Sequence, residues 1–203
     1  AERLHLPGRL WESSTAEVLP VNTPESVRAR VETLKLFWRQ RYADFLAAAP
    51  VSQMVLAERV MQAHAKARMG ADDAFAAIDA VAAVSPGDVP FLRAIACHVR
   101  QQPAEVLRHI EQGLDGLMQA PWCRTVLVNE ALALLPELAK THKAATDPRF
   151  AVIFDKLGRE YPVEIARSTR MGTRCDMALH LQTPQQMEAV RSLGEPLPWN
   201  GRA

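Results

Sequence analysis

The stretch AVSPGDVPFLRAIACHVRQQPAEVLRHIEQGL, residues 83–114, decides the fold class of this chain. Apolar residues recur in it at steps of three and four, as they do on one face of an α-helix. Ser85-Pro86-Gly87-Asp88 and Gln102-Pro103 interrupt the pattern, because proline and glycine are unfavourable in a helix interior. The stretch therefore predicts two consecutive helices, one from about Val89 to Gln101 and one from Pro103 to about Met118.

The same periodicity extends towards the N-terminus. One helix is predicted from Thr23, which suits a cap position, through Pro24 to a stop at Pro50. A second helix is predicted over residues 51–69 and is ended by Gly70. A third is opened by Asp72 or Asp73, which are better explained as helix caps than as a metal-binding pair.

Towards the C-terminus the pattern predicts a sixth helix from Trp122 to about His142, which Pro136 kinks or splits. A seventh begins at Asp147-Pro148. Residues 163–182 are compatible with a helix, a loop or a short strand, and residues 183–194 predict a short helix. No alternating run is long enough to predict a sheet.

Two helical hairpins within this pattern resemble tetratricopeptide-type repeats over the stretch from about Val55 to Leu114. Ala63, Ala67 and Ala74 stand where that family places small residues, Gly70 lies at the turn, and Pro86 lies at the closing proline. The aromatic and Leu-Gly signals of the family's first helix are absent, so the resemblance is to a degenerate repeat. It implies an all-α, irregular α-solenoid of antiparallel hairpins.

Three segments are expected along the chain. Residues 1–22 form an irregular segment that docks on the helices through Leu4, Leu6, Leu10 and Trp11. Residues 23–160 form the helical-repeat domain, and residues 161–203 form a less regular C-terminal segment with one short helix and a proline-rich tail.

The charge balance excludes some partner classes. The 203 residues carry a net charge of +1, which gives no electrostatic basis for binding nucleic acid.

Insertion into a membrane is not expected, because no apolar run approaches the roughly 20 residues that span a bilayer. We expect a cytoplasmic location by default. The missing initiator methionine leaves open a processed chain or a fragment of a larger protein.

Catalytic and metal-binding motifs are absent from the sequence. It holds no phosphate-binding glycine loop, no nucleophile elbow and no zinc-protease motif, so no catalytic residue, metal or cofactor is predicted. Cys97, Cys123 and Cys175 lack disulfide or zinc spacing and are interpreted as small apolar residues. The segment RSTRMGTR (167–174) is interpreted as a surface loop, with an anion site as the alternative.

The first functional hypothesis is a non-enzymatic helical-repeat scaffold that binds a protein or peptide. Repeat folds present an extended concave surface, so binding is the role that they most readily support. The candidate partner-binding residues are Glu58, Gln62, Arg93, Arg100 and Glu130. For Glu130, which lies in an apolar helical run, pairing with a nearby arginine such as Arg124 is the alternative.

Two other hypotheses remain open. TPESVRARVETLKLFWRQRYADFLAA (23–48) resembles the stretch that follows the catalytic part of large bacterial membrane-fused proteins similar to spermidine synthases. That resemblance implies a helical accessory domain of a larger enzyme, without aminopropyl transfer by this chain. The other hypothesis is a small-molecule pocket among the helices.

Overall fold

The structure is a computed structural model that describes residues 22–49, 54–141 and 147–180, without the side chains of 179 and 180. Within these ranges the regular secondary structure is helical throughout, with nine α-helices, one short 3₁₀ turn and no strand. The predicted all-α class is therefore confirmed for the described part of the chain. The chain divides into two compact units, Ala1–Val84 and Ser85–Ala203, called here the N-terminal and the C-terminal unit.

Four helices form the described part of the N-terminal unit. They are α1 (Glu25–Trp38), α2 (Tyr42–Ala48), α3 (Leu56–Met69) and α4 (Ala74–Ala82). Each helix packs against the next one along the chain. The core includes Phe37 and Phe45, whose ring centroids lie 5.3 Å apart, and the small side chain of Ala65 on α3. Burial of these rings helps to hold α1 and α2 onto α3.

Five helices form the described part of the C-terminal unit. They are α5 (Val89–Val99), α6 (Pro103–Gln119), α7 (Thr125–Thr141), α8 (Pro148–Leu157) and α9 (Arg167–His180), with a 3₁₀ turn at Pro86–Asp88 before α5. Helices α5 and α6 form a hairpin, α7 packs on α5, α8 packs on α6, and α9 packs on α7 and α8. Gly113 brings α6 close to α5, since a Cβ there would lie 2.6 Å from Cζ of Phe91.

Three turns between helices use the same backbone conformation. Gln40, Gly70 and Gln101 follow the ends of α1, α3 and α5 with φ angles of 58°, 64° and 58°. In each turn the next N–H donates to a carbonyl inside the helix: Arg41 to Leu36, Ala71 to Lys66 and Gln102 to Cys97. This is the Schellman arrangement, in which the left-handed residue is most often glycine. Two glutamines fill that place here.

The first helix departs from its prediction. A single helix from Thr23 to Pro50 is wrong, because α1 ends at Trp38 and α2 begins at Tyr42. The apolar residues Trp38, Tyr42 and Phe45 keep helical spacing across the turn, so periodicity conceals the break. The residue at the cap position of α1 is Pro24 rather than Thr23, and it offers no side-chain hydrogen bond.

The other predicted boundaries agree with the structure to within a few residues. Gly70 follows α3, Pro103 opens α6, and Asp147 caps α8 by accepting the N–H of Arg149 at 3.0 Å. Asp73 holds the cap position of α4, but its carboxylate accepts a hydrogen bond from Lys66 Nζ at 2.5 Å instead of capping the helix. Helix α7 runs unbroken through Pro136.

The open alternatives for residues 163–182 resolve in favour of a helix, because α9 covers Arg167–His180. The segment 167–174 is therefore helical, and the surface-loop prediction for it is wrong. The predicted docking of the N-terminal segment and the predicted helix and tail after residue 182 lie outside the described residues. The domain limits at 22/23 and 160/161 stay predictions.

Enlarging the small residues at the helix contacts is expected to destabilise the fold. Ala74 and Ala96 are 0% and 1% exposed. Changing either to Leu forces extra methyl groups into close-packed surroundings and should cost about 1–3 kcal/mol of unfolding free energy. Thermal unfolding checks this, with Ala80→Leu on the exposed side of α4 as the control. If Ala74→Leu and Ala96→Leu unfold at the same temperature as the parent protein, the buried positions described for these alanines are wrong.

Candidate functional site

An open groove lies in the N-terminal unit between α1, α2 and the start of α3. Its volume is about 370 Å³, which is within the range of sites that hold a small molecule or a few side chains of a partner. Leu34 of α1, Phe45 of α2 and Met54 before α3 contribute its apolar floor. The exposed Val27 and Ala48 stand at its rim. Among the residues that the structure describes, the groove is therefore a largely apolar surface that is open to solvent.

One wall of the groove carries an ion pair. Arg30 of α1 binds Glu58 of α3 through two hydrogen bonds, one from Nε to Oε1 and one from Nη2 to Oε2 at 2.6 Å. Glu58 also accepts the backbone N–H of Val55 at 3.0 Å, which holds the start of α3. The side chains of Arg30 and Glu58 are 38% and 12% exposed. The pair is thus fixed by its geometry, and the two charges neutralise each other at the wall.

Glu58 is the one predicted site residue that the structure places in the described wall of this groove. Gln62 lies one turn further along α3, is half-buried and is not part of that wall. The sequence-based assignment of Glu58 to a binding surface stays a prediction.

The other three predicted residues belong to the C-terminal unit. Arg93 lies on α5, Arg100 directly follows the end of α5, and Glu130 lies on α7; Arg100 is exposed and the other two are half-buried. Each takes part in an interaction within the protein. Arg124, which the sequence suggested as a partner for Glu130, binds Asp88 through its guanidinium group. These residues form no part of the groove.

Sequence reasoning missed the apolar floor and rim of the groove. They exist because the turn at Arg39-Gln40 folds α2 back onto α1, and that turn was not predicted. A usable signal was present: Arg100-Gln101 repeats the same dipeptide before a predicted break.

Each arginine of segment 167–174 has a partner within the protein. Arg167 pairs with Glu164. Arg170 is buried and donates to backbone carbonyls. The guanidinium carbon of Arg174 lies 4.6 Å from the centroid of the Phe154 ring, a cation–π distance. An anion site at Arg167 or Arg170 loses support, since their guanidinium groups already have hydrogen-bonding partners.

The cysteine thiols should differ in reactivity. Burial raises the pKa of Cys97, and burial, together with the negative charge of Asp88, raises the pKa of Cys123 to about 12. Cys175 is exposed. Because the thiolate is the reactive form, iodoacetamide at pH 8 should alkylate Cys175 first and the other two only after unfolding. Peptide mass mapping over time measures this, and native labelling of Cys123 as fast as Cys175 would contradict it.

Within the ranges that the structure describes, no group of three or more His, Cys, Asp or Glu side chains is placed to hold a metal ion. No helix in that part of the chain is both long and apolar enough to cross a membrane. Comparisons with protein-family models, with curated proteins and with solved structures find no match to this chain.

Proposed function

We propose that this protein is a non-enzymatic helical-repeat protein that binds a segment of another protein in the groove of its N-terminal unit. The observation that carries the proposal is an open apolar floor beside a wall whose two charges, on Arg30 and Glu58, neutralise each other. Exposed apolar surface beside polar side chains is typical of protein-binding sites. Thr33 also lies in the wall of the groove, and its hydroxyl donates to the carbonyl of Ala29 on the same helix at 3.0 Å.

We also propose that the helix pairs stack as an irregular solenoid of the tetratricopeptide type. The recurrence of one turn conformation at Gln40, Gly70 and Gln101 supports this, because each turn joins two helices that pack against each other. Stacked helix pairs present an extended surface, which suits recognition of a peptide or protein better than it suits catalysis.

The experiment that tests the binding function is a comparison of two surface variants. Ala48→Arg places a long charged side chain at the rim of the groove, whereas Ala47→Arg places the same side chain on the same helix outside the described lining. Both positions are exposed, so neither change should unfold the protein. The full chain and both variants are used as bait in parallel pull-downs from the source cells, read by quantitative mass spectrometry.

We expect proteins that the parent and Ala47→Arg retain equally and that Ala48→Arg loses. Such a difference assigns binding to the groove, because the variants share charge and helix propensity. Equal recovery with all three baits, or no protein enriched over beads alone, would contradict the proposed function.

A small-molecule site is the second candidate, favoured by one observation. The groove volume of about 370 Å³ lies near the lower end of the range for ligand sites. Native mass spectrometry of the protein as purified tests this. A bound mass that is lost in Ala48→Arg and kept in Ala47→Arg would favour the small-molecule site over protein binding.

A further inference from the structure

A buried histidine on α6 has a polar partner at each of its two ring nitrogens. His109 is 3% exposed. Its Nε2 lies 3.2 Å from Nη2 of Arg108, and its Nδ1 lies 3.1 Å from Oε1 of Gln112. A guanidinium group only donates hydrogen bonds, so Nε2 of His109 accepts the one from Arg108. The proton of the neutral ring therefore lies on Nδ1, which donates it to Gln112.

Arg108 is held in turn by a carboxylate on the same helix. Its Nε donates to Oε2 of Glu105 at 3.0 Å, and its Nη2 donates to the same oxygen. That oxygen lies 4.0 Å from Nε2 of His109. The side chains of Arg108 and Glu105 are 42% and 44% exposed, so both can change conformation at the surface while the ring of His109 stays buried. One carboxylate thus stands close to both Arg108 and His109.

A proton on Nε2 of His109 is incompatible with this arrangement. It would place an N–H of His109 against an N–H of Arg108, with a positive charge on each group. Burial lowers the pKa of His109 below its ordinary value of 6.5, and the positive charges of Arg108 and Arg93 lower it further, while Gln112 and Glu105 oppose the change. Protonation inside the fold therefore requires a new partner for Nε2.

The elements packed against α6 carry further titratable and charged groups. Those that are buried or half-buried in the described part of the chain are Asp88 in the 3₁₀ turn, Arg93, Cys97 and His98 on α5, Glu130 on α7, and Arg149 and Lys156 on α8. Arg93 adds positive charge near His109, and Arg149 adds positive charge near Glu105. Asp88 is paired with Arg124, and Lys156 is paired with Glu111 and Asp115. Glu105 is therefore the carboxylate in place to receive a protonated His109.

We infer that Glu105, Arg108 and His109 form a proton-controlled switch, in which a proton on Nε2 of His109 transfers Glu105 from Arg108 to His109. A proton from water forms the new N–H at Nε2, the hydrogen bond from Arg108 to that nitrogen breaks, and the new N–H donates to the Glu105 carboxylate. The Arg108 guanidinium group is released to solvent. Glu105 and His109 are four residues apart on one helix face, so the exchange needs side-chain motion only. The switch does not depend on the groove of the N-terminal unit.

Histidine titration by NMR tests the switch on the full chain. The ring resonance of His109 is followed against pH, and its midpoint should lie below 6.5. Arg108→Met removes a positive charge and a donor and frees Glu105, so the midpoint should rise by about 0.5 or more on the pH scale. Glu105→Gln removes the receiving charge and should lower the midpoint. Arg159→Met breaks a surface pair with Asp155 and is the matched control, which should leave the midpoint unchanged.

A second resonance reports the release of Arg108. The Hε resonance of Arg108, assigned by its loss in Arg108→Met, senses the hydrogen bond from Nε to Glu105. We expect it to change with the same midpoint as His109 in the parent protein and to stay constant over that pH range in His109→Gln. Arg108 and Glu105 are partly exposed, so their variants should fold and decide the question even if His109→Gln does not. A midpoint that Arg108→Met lowers or leaves unchanged, or an Arg108 resonance that does not follow the titration of His109, overturns the inference.

Discussion

Replacing Arg170 by Ala is expected to lower the free energy of unfolding by about 3–4 kcal/mol. Arg170 is 4% exposed and lies on α9. Its guanidinium group donates to the carbonyls of Arg159 at 3.0 Å, Ile165 at 3.1 Å and Leu157 at 3.3 Å. Leu157 is the last residue of α8, whose final carbonyls have no partner within the helix. Arg170 on α9 therefore donates a hydrogen bond to the last carbonyl of α8, which has no donor within its own helix.

The expected loss of unfolding free energy is large because the Arg170 guanidinium group also packs against an aromatic ring. The guanidinium carbon lies 4.2 Å from the centroid of the Tyr161 ring, and the Tyr161 hydroxyl donates to the carbonyl of Lys156 at 2.9 Å. Removing Arg170 leaves buried carbonyls unsatisfied and opens a cavity beside the ring.

Urea unfolding followed by circular dichroism measures this loss. Arg167→Ala is the matched control, because Arg167 lies on the same helix with its side chain 66% exposed and pairs with Glu164 at the surface. Exposed ion pairs contribute about 0–1 kcal/mol, so the control should unfold close to the parent. If Arg170→Ala and Arg167→Ala unfold at the same urea concentration, the buried position described for Arg170 is wrong.

Replacing Asp88 by Ala is expected to cost about 3 kcal/mol. Asp88 is fully buried at the start of α5. It accepts the N–H of Arg124 at 2.7 Å and the hydroxyl of Ser85 at 2.6 Å, and it binds the Arg124 guanidinium group. The carboxylate thus ties the beginning of α5 to the turn before α7. Alanine leaves those donors without an acceptor.

Asp155→Ala is the control for this change, since Asp155 pairs with Arg159 on the surface of α8 of the same unit. Thermal and urea unfolding of both variants should show a clear loss for Asp88→Ala and little change for Asp155→Ala. A fully stable Asp88→Ala protein would mean that the contact between Asp88 and Arg124 does not hold the two helices together.

The parts of the fold that could be predicted are those with local physical causes. Gly70 ends a helix because it adopts a left-handed conformation easily, and Pro103 begins one because its fixed φ suits the first turn. The turn at Gln40 has no such cause in its own residue, since glutamine is not favoured with positive φ. The tertiary contacts of α2 support it, and these are invisible to periodicity.

The candidate site could be predicted only in part, for the same reason. Glu58 was assigned to a binding surface from its position on a repeat's first helix, and it does lie in the groove wall. No sequence pattern marks Val27 and Ala48. They line the groove only because α2 folds back on α1. Arg170 looks like a solvent-exposed residue in RSTRMGTR, and its burial depends on the distant end of α8.

The most direct test of the groove is photocross-linking from its rim. A diazirine analogue of leucine replaces Ala48 in one variant of the full chain and Ala47 in the other, both variants are irradiated in extracts of the source cells, and the linked proteins are identified by mass spectrometry. We predict at least one protein that links to position 48 of the groove and not to position 47 outside its described lining. Equal linking from both positions, or no protein linked from position 48, would contradict a protein-binding groove in the N-terminal unit.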